Sequence, residues 1–285
     1  MPDVVHTVSE VRAAVAAARE AGHVVTLTPT MGALHAGHLA HLDAARTAAG
    51  ERAFTVVSIF VNPLQFGPSE DLDKYPRTLA ADVAALAEAG ADLVFAPSVE
   101  EMYPDGGVQV GIAPGPVAST YEGASRPGHF AGALTVVAKL LNIVRPDLAT
   151  FGRKDAQQLF LVERMVEDLN VPTRIVEVDI VREHDGLAMS SRNRFLSPVE
   201  RREARTLSRA LEAAESAGER GIDAVLAAAQ SVTMDAEGVD VDYFAVVDPR
   251  TFTPVPDDYR GPAIALIAAR VGSTRLIDNA RFRLG

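Results

Sequence analysis

Val24-Val25-Thr26-Leu27-Thr28-Pro29-Thr30-Met31-Gly32-Ala33-Leu34-His35-Ala36-Gly37-His38-Leu39 is the stretch from which the fold follows. Its first residues are apolar or β-branched, the pattern of a strand, and a helix-like stretch runs on from about His38 to Ala49. Strand, turn and helix start in immediate succession open an α/β unit. Gly32 and Gly37 permit unusual backbone dihedrals or the close approach of a ligand. The new helix offers unpaired N–H groups and the positive end of its dipole to an anion. His35 and His38, three residues apart at that end, change charge near neutral pH and can donate hydrogen bonds to phosphate oxygens. A bare His-x-Gly-His is commonly just a turn with two surface histidines, but twelve residues of context from Thr28 to Leu39 make a phosphate-handling turn the better reading. His35, His38 and His41 also invite a metal. Steps of three drift around a helix, however, and the chain has no cysteine to complete a common zinc set.

Outward from this stretch the chain alternates. A helix is expected from Ser9, as N-cap, to Glu20, with Gly22 as its stop. Residues 54–61 read as a buried parallel strand, 78–89 as a helix and 91–97 as a short strand. Between them, Gly67–Thr78 is rich in Pro, Asp, Ser and Gly and reads as a mobile loop suited to act as a lid. An irregular crossover at 108–128 leads to a core helix at 132–144, a strand at 148–151, a helix at 156–169 and a strand at 171–182. Such alternation predicts a parallel, helix-covered sheet whose ligands bind beyond the carboxyl ends of its strands. The polar stretches 31–38, 62–65 and 152–158 all fall at those ends. After Asn193 come two charged, alanine-rich helices, 198–217 and 222–234, and then apolar alternation at 239–247, 263–271 and 274–278. The expectation is an α/β protein: a Rossmann-like domain over 1–186 and a smaller α+β domain over 187–285.

With 285 residues, 48% hydrophobic and 23% charged, the chain can bury a large core. The lack of cysteine excludes disulfides and thiol catalysis. Lys and Arg number 27 against 38 Asp and Glu, a net charge of −11 that argues against nucleic acid or an anionic membrane as partner. Residues 1–23 lack the apolar core of a secretory signal, and no uncharged run approaches the ~18 residues a membrane helix needs. A cytoplasmic location is expected.

Four further stretches carry chemistry: Phe60-Val61-Asn62-Pro63-Leu64-Gln65-Phe66, Arg126-Pro127-Gly128-His129-Phe130-Ala131-Gly132, Gly152-Arg153-Lys154-Asp155-Ala156-Gln157-Gln158 and Leu187-Ala188-Met189-Ser190-Ser191-Arg192-Asn193. The turn at 28–39 resembles the signature of the nucleotidyltransferase superfamily, whose members carry His-x-Gly-His after the first strand of a Rossmann-like domain. With the other four stretches in order, nearly the whole chain resembles the pantoate–β-alanine ligase family. The resemblance implies ATP-driven condensation of pantoate with β-alanine through an enzyme-bound pantoyl adenylate, a step in the biosynthesis of a coenzyme A precursor. AMP and pyrophosphate are the products it implies. It also implies Mg²⁺ on the triphosphate and a homodimer.

Acyl adenylate formation requires a carboxylate to attack the α-phosphorus as pyrophosphate leaves, so two anions must be held close and neutralised. Lys154, as a point charge, and Arg192, as a planar fork, are the candidates for that task, although either alone is more often a solvated surface charge. By resemblance, His38 and His35 act at the α-phosphate beside Lys154 and Arg192. Met31, Gly32, Gly37, Gly152, Asp155, Val181, Met189, Ser190 and Ser191 complete the ATP contacts it implies. Gln65 and Gln158 then hold pantoate, with Asn62 as a further neutral amide. Arg126 and His129 either reach the site or brace their loop, and Asp82 is the candidate to assist Mg²⁺. Arg153 departs from the acidic residue expected in many relatives. Two rivals stay open: nucleotidyl transfer to a phosphate ester, and a non-catalytic nucleotide sensor.

Overall fold

Strand β1 (Asp3–Val5) and helix α1 (Val8–Glu20) precede β2 (Val24–Thr30), α2 (Ala36–Ala49), β3 (Ala53–Ile59), α3 (Leu79–Glu88) and β4 (Leu93–Phe95). The chain continues through α4 (Val99–Met102), α5 (Tyr121–Ser125), α6 (His129–Val144), β5 (Leu148–Gly152), α7 (Ala156–Asp168) and β6 (Arg174–Val178). The computed structural model describes residues 1–67, 72 and 75–285; half of the expected lid, 68–71 with 73 and 74, lies outside the described residues.

The six strands form one parallel sheet in the order β1-β4-β3-β2-β5-β6. Val25, Leu27, Val56, Val57, Val94 and Ala149 are buried on it, which is why these strands read as continuous apolar runs rather than alternating ones. From β2 the chain steps outward through β3 to β4, then returns to lay β5 on the other side of β2. That reversal makes a topological switch point at the carboxyl ends of β2 and β5, where this class of sheet binds ligands.

The chain divides into two compact units, Met1–Gly152 with Leu161–Val178, and Arg153–Phe160 with Asp179–Gly285. The second contains α8 (Pro198–Ala204), α9 (Thr206–Ser216), α10 (Ile222–Met234) and the antiparallel sheet β7 (Val239–Val247), β8 (Gly261–Val271) and β9 (Thr274–Leu284). Leu207, Leu211, Val225, Ala265, Ile267 and Leu276 are buried in its core. The expected boundary at 186/187 thus compares with a second unit that begins at Asp179 and also takes in the turn after β5.

Local details differ from the sequence expectations for identifiable reasons. Thr7, not Ser9, caps α1: its side chain accepts from the Glu10 amide and Glu10 answers from below, a reciprocal box that outcompetes a single serine. The expected helix 198–217 is two helices, and at the break the Ser208 hydroxyl donates to the Arg205 carbonyl at 3.0 Å. The strand expected over 171–182 stops at Val178, and Arg182 instead bridges Ala188. β9 runs six residues past the expected end, through the polar residues Asn279, Arg281 and Arg283, because β8 pairs with it to Leu284.

Candidate active site

In the first unit, α2 starts at Ala36, which makes His35 its N-cap and His38 its third residue. The His35 amide donates to His38 Nδ1 at 3.2 Å, and the two imidazole rings lie 4.0 Å apart. A ring nitrogen that accepts cannot carry the proton, so this bond leaves the proton of neutral His38 on Nε2. The turn before it needs two successive left-handed residues, Gly32 at φ 83° and Ala33 at φ 51°. For Ala33 that backbone costs about 1 kcal/mol and persists only where neighbours impose it.

Asp82, on the first turn of α3, imposes it. Its carboxylate accepts from the Ala33 amide at 3.1 Å, the Leu34 amide at 2.9 Å and the Thr78 hydroxyl at 3.0 Å, and it is buried. A Cβ on Gly32 would lie 3.0 Å from Asp82 Oδ2 and 3.2 Å from Ile59 Cγ2, so glycine is required on both conformational and steric grounds. Both oxygens of Asp82, the candidate to assist Mg²⁺, thus accept hydrogen bonds from the turn or from Thr78. His41 Nδ1 lies 3.2 Å from the Thr150 hydroxyl, which in turn pairs with Thr28 at 2.9 Å.

A second cluster of the first unit lies at the end of β3. Asn62 caps the short turn Pro63–Gln65 through the Leu64 amide, while its Nδ2 donates to Gln65 Oε1 and to the Gly132 carbonyl, both at 3.1 Å. The Tyr103 hydroxyl donates to Asn62 Oδ1 at 2.8 Å; with Asn62 1% and Tyr103 2% exposed, this is an interior network. Gln65 Nε2 reaches the Met31 sulfur at 3.0 Å, which ties the amide pair to the signature turn. His129 opens α6, takes the Gln65 carbonyl with Nδ1 at 2.9 Å and meets Arg126 with Nε2 at 3.0 Å. Gly132 lets the Leu64 carbonyl pack against α6 at a distance no Cβ tolerates. Burial pushes the Tyr103 phenol up to about 12. Sequence reading missed Tyr103, and no local signal near residue 103 points to Asn62.

The second unit carries the other expected residues. Lys154, Ser190 and Arg192 line one pocket with Leu187, Ala188 and Asp278. Lys154 is largely enclosed and its ammonium lies 3.8 Å from Asp155. Arg153 turns its guanidinium to Asp179. Ser190 Oγ accepts from the Arg192 amide at 3.2 Å and so caps the turn Ser191–Phe195, fixing where Arg192 leaves the backbone. Met189 pairs with Val181 through a 2.9 Å backbone bond. Gln158, half-buried near the start of α7, belongs to this unit, and Gln65 to the other. Among the described residues, no three His, Cys, Asp or Glu side chains converge as a metal set.

The sequence matches the Pantoate-beta-alanine ligase family over residues 3–281. A pantothenate synthetase from Leifsonia xyli subsp. xyli is 59% identical over 91% of this chain and 89% of its own length. One from Nocardioides sp. is 53% identical over 100% and 86%. Among solved structures, a pantothenate synthetase from Thermus thermophilus superposes with a TM-score of 0.88 at 46% identity, covering 98% of both chains. The pantoate-beta-alanine ligase of Francisella tularensis, complexed with beta-gamma ATP and beta-alanine, gives 0.78 at 31% identity, over 98% of this chain and 97% of that one.

Proposed function

The chain belongs to the pantoate–β-alanine ligase family, and from that premise we propose the roles of its residues in joining pantoate to β-alanine with ATP. The reaction passes through pantoyl adenylate and releases pyrophosphate, then AMP. The match across residues 3–281 carries the reading. It is supported by a signature turn at a helix N-terminus, in which the His35 backbone amide fixes the tautomer of His38.

An amine cannot displace oxide from a carboxylate, so activation comes first. The pantoate carboxylate attacks the α-phosphorus; its oxygen forms the new P–O bond as the bond to pyrophosphate breaks. His38 donates from Nε2 to the α-phosphate oxygens as charge builds on them, with His35 and the first amides of α2 beside it. Met31, Gly32 and Gly37 allow the backbone to approach the nucleotide. Lys154 and Arg192 neutralise the phosphates and the departing pyrophosphate, with Ser190, Ser191, Gly152, Asp155, Val181 and Met189 as further ATP contacts. Gln65 and Gln158 hold pantoate through neutral amides, Asn62 orients Gln65, and His129 with Arg126 braces the same turn. β-Alanine then attacks the acyl carbon, AMP leaves with both electrons of the acyl–oxygen bond, and the amine gives up its proton. Mg²⁺ travels with the triphosphate as part of the substrate, since Asp82 is occupied and such an ion is commonly held by phosphates and water. A homodimer, by family likeness, completes the proposal, checked by sedimentation equilibrium. So does a cytoplasmic location, consistent with the absence among the described residues of any helix long and apolar enough to cross a membrane.

With pantoate and no β-alanine, labelled pyrophosphate exchanges into ATP, and oxygen labelled in the pantoate carboxylate is recovered in AMP after a full turnover. Lys154→Ala and Arg192→Ala each lower the exchange rate about 100-fold or more. Exchange that requires β-alanine, or label found in pyrophosphate, would overturn the mechanism.

A further inference from the structure

Adjacent residues near the middle of β9, Asp278 and Asn279, each 3% exposed, are absorbed by no role assigned above. Asn279 Nδ2 donates to two consecutive backbone carbonyls, Arg153 at 2.8 Å and Lys154 at 3.0 Å. Both hydrogens of one planar amide are thus used to fix the peptide from which the Lys154 side chain springs. Asp278 receives both terminal nitrogens of Arg182, at 2.7 and 3.1 Å, and its Oδ1 also accepts from the Asn279 amide at 2.8 Å. Arg182 belongs to the hairpin that feeds the Ser190–Arg192 turn: it bridges Ala188, and one of its nitrogens holds the Gly186 carbonyl at 3.1 Å. Lys154, Ser190, Arg192 and Asp278 line the same pocket.

We infer that Asp278 and Asn279 are a pair of positioning residues, holding Lys154 and the Ser190–Arg192 turn in one fixed frame for the phosphates of ATP. The inference rests on the phosphate roles proposed above for Lys154 and Arg192. Long cationic side chains stabilise a transition state only when the backbone beneath them does not have to reorganise, and two clamps from neighbouring residues of one strand set both backbones at once. The pair also manages its own charge. A buried carboxylate lining a pocket for polyphosphate would repel the substrate, and the bidentate Arg182 contact neutralises it.

The test measures pantoate-dependent pyrophosphate exchange in the intact protein, with Lys154→Ala as reference. Asn279→Leu keeps the volume and removes both donors; kcat/KM for ATP should fall about 10- to 100-fold while KM for pantoate stays within about threefold. Attack of β-alanine on preformed enzyme-bound adenylate should also stay within about threefold of the parent rate. Arg182→Gln exposes the Asp278 charge and should raise KM for ATP about tenfold, and adding Asp278→Asn should recover most of that loss. Parental KM and kcat for ATP in folded Asn279→Leu and Arg182→Gln, with Lys154→Ala impaired, would overturn the inference. So would an equal fall in both half-reactions that tracks thermal stability, or failure of every variant to fold, since either makes the pair a support of the fold alone. A fully active Lys154→Ala would instead strike the proposed function.

Discussion

Asp82, the candidate to assist Mg²⁺, is a buried carboxylate that accepts from a strained turn. It holds two amides of a turn that contains a left-handed alanine, and without it those half-buried N–H groups lose their partner at about 1–3 kcal/mol each. Asp82→Ala should therefore lower stability by about 2–4 kcal/mol and raise KM for ATP, and excess Mg²⁺ should not restore the rate. Recovery at high Mg²⁺ would show that the side chain serves the ion. Tyr103 makes a pH-dependent prediction. The folded protein keeps the phenol proton up to about 12 while the unfolded chain releases it near 10.0, so the contribution is intact below pH 10.0 and lost as pH rises through about 12. Tyr103→Phe should flatten that alkaline loss and, because Asn62 Oδ1 loses its donor, cost about 1–2 kcal/mol at neutral pH in urea titrations.

At the scale of elements, the turn Ser191–Phe195 has little apolar burial of its own and is held by charge. Arg201 on α8 donates to Glu183 at 2.6 Å and to Asp185 at 2.9 Å, and Glu183 also accepts from Asn193 at 2.6 Å. Burial pushes both carboxyls upward, but the hydrogen bonds from Arg201, joined by Asn193 at Glu183 and the Leu187 amide at Asp185, outweigh it and hold both below their ordinary values. Depressed carboxyls lend stability above their unfolded values, 4.5 and 3.8, and lose it as pH falls through the folded ones. The parent should lose stability on acidification below about pH 4.5, and Arg201→Leu should lose much of its stability already at pH 7, since two carboxylates are left without their partner. Chemical denaturation from pH 7 to 3 reads both; equal slopes in parent and variant would show that the network contributes nothing.

For the whole molecule, ligand linkage separates the two units' contributions without any assumption about their arrangement. A ligand at about 100 times its Kd adds about 2.7 kcal/mol to the state that binds it. MgATP and pantoate should each raise the melting temperature of the parent. In Lys154→Ala the rise with MgATP should shrink while the rise with pantoate persists, because the Asn62–Gln65 network lies in the other unit and is untouched. Loss of both responses together would mean that the substitution damages the fold.

Strand, turn and helix order, the parallel sheet and the later α+β texture were legible because hydrophobic periodicity is written in local windows, and Gly32 was legible because few residues tolerate its backbone. The five chemical stretches were legible as residue types for the same reason. The partners of those residues were not. Asp82 lies 49 positions from Ala33, Tyr103 lies 41 from Asn62, and Asn279 lies 126 from Arg153. By itself the sequence determined the residue types at those stretches and the chemistry each type is able to do. Only the tertiary structure decided which buried groups hold them in place, because a hydrogen-bond partner is chosen by strand order and register, and no stretch of chain contains its own neighbours across a sheet.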